Sequence, residues 1–81
     1  MNTKAGDVVI WEKDSVSLCQ VAVVHDDGEQ PSSFGNRWQT KSRANAEEFA
    51  RSLISQTGGR ILVWDGSGEP TLFGSHSPGA L

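Results

Sequence analysis

Four titratable side chains fall within five positions at His25-Asp26-Asp27-Gly28-Glu29, the first place to look for metal chemistry. Imidazoles and carboxylates ligate metals, but a site needs donors that converge, usually from separate segments. The spacing also lacks the alternating acids and distant Glu of a calcium loop. Consecutive acids before a glycine read as a solvated loop, so no metal and no cofactor is expected. Cys19 is the single cysteine. As a nucleophile it would need His25 or His76 as base and a third group to orient that base. His25 lies six residues along the same extended run, roughly 20 Å away at about 3.3 Å per residue. His76, in Ser75-His76-Ser77, has no acid near it in sequence. Gly66-Ser67-Gly68 follows a strand and precedes Pro70, lacks the lysine of a phosphate loop, and reads as a turn. No pair of titratable residues has spacing suited to acid–base or covalent chemistry. The chain reads as non-catalytic.

A second group of residues could hold an anion. Arg37, Lys41 and Arg43 surround the start of an amphipathic stretch, with Thr40 and Ser42 as hydroxyl donors. Free N–H groups of a first helical turn attract anions, whereas cations there are slightly unfavourable and want a reason. One reason is a bound phosphate, a nucleic acid or an acidic partner; Arg37, Trp38 and Lys41 interleave positive charge with an aromatic. The other reading is structural. Arg43 pairs with Glu47 and Glu47 with Arg51 at four-residue spacing, while Ser42 or Thr40 caps the helix. The charge distribution is uneven. Residues 37–60 hold Arg37, Lys41, Arg43, Arg51 and Arg60 against Glu47 and Glu48, a balance of +3, and the remainder stands at −6. The total of −3 argues against non-specific nucleic-acid binding.

The elements that must position these residues are legible from periodicity. Asp7 to Lys13 and Val16 to His25 are rich in β-branched and aromatic residues and predict two antiparallel strands. Asp14-Ser15 is the turn between them, and 26–33 is the main loop. Phe34 to Gln39 predicts a weaker third strand that leads into a helix over Thr40 to Ile54. Apolar residues at Ala46, Phe49, Ala50, Leu53 and Ile54 form the helix stripe, and Gly58-Gly59 supplies its stop. Arg60 to Trp64 is a fourth strand, closed by a turn at Asp65-Gly66-Ser67-Gly68. Pro70 permits only a short edge strand at Thr71-Leu72-Phe73. The expected fold is α+β: a mainly antiparallel sheet of three to five strands with one helix on one face, in the order β-β-β-α-β, with room for a short fifth strand. One domain over 7–73 is expected, between a flexible N-terminus at 1–6 and a flexible tail at 74–81.

Thr40, Lys41 and Ala44, followed by Val63 and Asp65-Gly66 or Gly68, form a T-K-x-x-A helix start and a final strand ending near D-G. In these residues the chain resembles, over roughly 7–73, a family of small bacterial α+β domains without an established activity. The resemblance implies the fold and lends no catalytic residues. The chain departs from that family in a longer loop at 26–33 and in Glu69-Pro70, where a strand would continue.

One helix covers one face of a sheet. Strand alternation puts Val8, Ile10, Val21, Val23, Ile61 and Val63 on one side, and Val9, Trp11, Ala22, Val24, Leu62 and Trp64 on the other. The side away from the helix carries too much apolar surface to stand in water. Trp11, Trp38 and Trp64 are therefore expected to include residues of a partner-facing patch there. In the competing reading at least two are ordinary core and loops 26–33 and 74–81 cover the rest.

With 81 residues and 36% apolar residues besides nine glycines, the chain is ordinary folded material. The lone cysteine fits a reducing compartment, and Met1 to Asp7 lacks the apolar run of a signal peptide or membrane span. A cytoplasmic location is expected. The foremost function class is a protein-interaction module or small homo-oligomer that uses the uncovered sheet face, with nucleic-acid binding second and an enzyme third.

Overall fold

The computed structural model describes residues 2–12, 19–30 and 36–73. Its elements are β1 (Val8–Glu12), β2 (Cys19–Val23), β3 (Asn36–Thr40), α1 (Arg43–Thr57), β4 (Ile61–Trp64) and β5 (Thr71–Leu72). They form one five-stranded sheet in the order β3-β2-β1-β4-β5. β1 pairs antiparallel with β2 and β2 with β3. β1 and β2 carry the β-branched residues that favour strands, while β3 has only Trp38 and Thr40 as strand-favouring residues. β4 pairs parallel with β1 in register Val8↔Ile61 to Trp11↔Trp64, and β5 closes the other edge antiparallel to β4. The parallel pair arises because α1 carries the chain from one end of the sheet to the other before β4 begins. The fold is α+β, with a mixed, mostly antiparallel sheet.

Local chemistry sets the helix limits. Ser42 is extended (φ −154°) and its hydroxyl accepts the Asn45 N–H, so the helix starts after it. Gly58, at φ 76°, sends its N–H to Ile54 O and ends it. Ala46 and Ala50 are fully buried, and their small size lets α1 lie close over β1 and β2. Phe49, Leu53 and Ile54 flank them against Val8, Ile10, Cys19, Val21 and Ile61. This is the expected stripe on the expected face. A second cluster of Val9, Ala22, Val24, Leu62 and Trp64, with Trp11 against it, occupies the opposite face.

The segment before β1, expected as flexible, is tied into the fold over residues 2–6. Gly6 N–H bonds Val24 O, Gly28 N–H bonds Thr3 O, and Thr3 is buried with its hydroxyl on Glu29 O. Its backbone finds partners on both flanks, since Asn2 N–H also reaches Glu69 Oε1. The turn expected at Asp14-Ser15 and the tail at 74–81 lie outside the described residues.

Candidate interaction surface

The three tryptophans meet different fates. Trp64 follows the β4 alternation onto the second face and is 8% exposed, with its indole N–H on Gly68 O at 3.0 Å. Trp11, opposite it in register, is half-buried with ring centroids 4.8 Å apart. Trp38 lies elsewhere. It pairs with Val21, which belongs to the helix-side cluster, so its ring stands on the helix face, edge-on to Phe49 at 5.2 Å. Trp38 is 39% exposed. The three rings thus do not form one patch: Trp11 and Trp64 lie on the side away from the helix and Trp38 on the helix side. That side is itself sealed: Val9, Ala22, Val24 and Leu62 are all buried. The exposed aromatic surface sits instead at the β3 edge.

Backbone geometry leaves that edge with outward-facing polar groups. Val24 donates to Asp7 O, so even-numbered residues of β2 turn their polar groups to β1. Alternation then turns Cys19, Val21 and Val23 towards β3, opposite Thr40, Trp38 and Asn36. Arg37 and Gln39 consequently direct their N–H and C=O away from β2. No strand meets them among the described residues. Arg37, Trp38 and Gln39 are all exposed. The sequence allows an unpaired sheet edge, but strand order and register decide that it is β3; the Arg37-Trp38 dipeptide was its visible sign.

The cations grouped at the helix start do not converge. Arg43 donates Nε to Glu47 Oε2 at 2.9 Å and Nη1 to Glu12 Oε2, two ion pairs that consume its charge. Arg37 turns to the second face, its guanidinium 5.9 Å from the Trp11 centroid. Lys41 is exposed beside them. Ser42 caps the helix, and Arg51 lies 5.6 Å from the Phe73 ring. The Arg43–Glu47 pair and the cap match the structural alternative; Glu12 as second partner, 31 residues away, had no sequence signal.

The acidic loop serves the backbone. Glu29 Oε1 accepts the His25 N–H at 2.7 Å, and Asp27 Oδ1 accepts the Ala5 N–H at 2.9 Å. No group of three or more metal-type ligands gathers among the described residues. Cys19 is buried, and burial, with Glu12 and Glu47 nearby and only Arg43 opposing, pushes its thiol up. A thiol so held remains protonated at neutral pH, the opposite of what a nucleophile needs. Among the described residues no helix is long and apolar enough to cross a membrane.

Geometry and charge together define a small α+β domain with a sealed second face and one polar-aromatic sheet edge. No family model, curated protein or solved structure matches the chain.

Proposed function

We propose that the protein is a non-catalytic interaction module that binds a protein partner along the β3 edge. The observation that carries this reading is Trp38: a large aromatic, 39% exposed, on an edge strand whose neighbours Arg37 and Gln39 aim their backbone groups outward. Exposed strand edges pair readily with extended segments, and main-chain hydrogen bonds supply the affinity. Exposed aromatics mark the centre of such contacts. This surface replaces the sheet face away from the helix, where Val9, Ala22 and Leu62 are already buried. Nucleic-acid binding through Arg37, Lys41 and Arg43 is the weaker reading, because Arg43 is spent on Glu12 and Glu47.

The test is a photo-crosslinking side chain placed at Trp38, and separately at the exposed Gln56 on α1, in the cell that makes the protein. Position 38 is expected to capture a defined partner and position 56 none. Adding Gln39→Pro should abolish the capture and leave the circular dichroism spectrum unchanged, since the residue 39 N–H points away from β2. Equal capture at both positions, or capture indifferent to the proline, contradicts the reading.

A further inference from the structure

The geometry points to a short acidic segment of a partner protein, bound in extended form, as the occupant of the β3 edge; this rests on the reading of that edge as a contact surface. Charge selects the occupant. From residue 36 to residue 46 the chain carries Arg37, Lys41 and Arg43 and no acid, in a molecule whose net charge is −3. Arg43 is neutralised by Glu12 and Glu47. Arg37 and Lys41 stay exposed, and among the described residues neither has a carboxylate within ion-pair distance.

Strand alternation then fixes the pattern of the guest. A residue laid opposite Trp38 shares the helix face, where the indole stands edge-on to Phe49 and offers apolar contact. Its two neighbours fall on the other face, beside Arg37 and Gln39. A carboxylate there meets the Arg37 guanidinium, which the Trp11 ring already holds on that face at 5.9 Å. The matching segment alternates acid and apolar residues. A second copy of this chain suits the edge less well, because a second β3 strand brings another Arg37 and no acid to it, and like charges across strands repel.

The experiment titrates the full chain with three synthetic peptides that share their apolar positions and carry Asp/Glu, Ser/Thr or Lys at the alternate ones, followed by amide NMR. The acidic peptide should bind about tenfold tighter than the Ser/Thr peptide at low salt, the effect of roughly two exposed ion pairs at the upper end of their range. Its shifts should centre on Arg37 and Gln39, and the margin should shrink as salt is added. An Arg37→Glu/Lys41→Glu variant should prefer the Lys peptide. Equal binding of all three peptides overturns the acidic partner and leaves the β3 edge as a contact surface. Binding of none overturns the acidic partner too, and crosslinking at position 38 then shows separately whether the edge is a contact surface. A concentration-dependent dimer mapping to β3, or a single-stranded oligonucleotide that outcompetes the acidic peptide there, also overturns it.

Discussion

Asp7 carries more of the fold than any other polar side chain described. Its carboxylate, 2% exposed, accepts the Lys4 N–H at 2.9 Å, the Arg60 N–H at 3.0 Å and the Arg60 guanidinium through Nε and Nη2. These bonds join the N-terminal segment, β1 and the start of β4. Burial raises the carboxyl, but the hydrogen bonds from Arg60 and Lys4 and the Arg60 charge outweigh it, so the acid lies below its ordinary value of 3.8. The sign follows. A depressed folded-state value adds stability that is complete above the unfolded value and fades as pH falls through the folded one. Asp7→Asn should cost about 3 kcal/mol at pH 7, the low end for breaking a buried pair because the Arg60 end reaches water. In urea melts that gap should begin to narrow below about pH 4, where the unfolded carboxyl takes up its proton, and shrink further as pH falls through the lower folded value; a gap independent of pH contradicts the account. The sequence shows Asp7 only as the first residue of a strand, since its partner lies 53 residues away.

At the scale of elements, local patterns were the legible part. The period-two alternation sorts Val8, Ile10, Val21 and Ile61 from Val9, Ala22, Leu62 and Trp64 correctly, because backbone pleating leaves no other choice. The helix stripe and its glycine stop were readable for the same reason, since they depend on neighbours in sequence. The sequence narrows the start only to Thr40 or Ser42; Thr40 belongs to β3, and the helix runs three residues past Ile54, to Thr57. The parallel β1–β4 pair was not, being decided by where the crossover returns the chain. Nor was the role of Gly59, read only as part of a helix stop. A Cβ there would lie 2.7 Å from Asp7 N and closer still to the Gly6 carbonyl, all main-chain atoms that cannot step aside. This is where the α1–β4 joint crosses the lead into β1. Gly59→Ala should therefore cost about 3 kcal/mol, the upper end for overpacking, measured by the midpoint of chemical denaturation. A loss within a few tenths of a kcal/mol would mean the two segments can part freely.

At the scale of the molecule, the account turns on which surface is left for a partner. The sequence shows that the sheet has apolar residues on both faces, and the surplus side suggested an open patch. The fold closes that side around Trp64 and Trp11 and moves the exposed aromatic to the β3 edge, where Trp38 faces α1. The reassignment was not legible because Trp38's face depends on β3 pairing Val21↔Trp38, a register set by tertiary contact. Charge follows the same division: Arg37 and Lys41 mark the edge, and Arg43 is absorbed into the fold by Glu12 and Glu47. The most direct test is acrylamide quenching in three variants that each retain one tryptophan, the other two replaced by phenylalanine. Trp38 should quench strongly, Trp11 less and Trp64 least, matching 39% exposure against a half-buried and an 8% exposed ring. Quenching of Trp64 as strong as that of Trp38 would contradict the account, because the second face would then be open and the β3 edge would lose its claim as the contact surface.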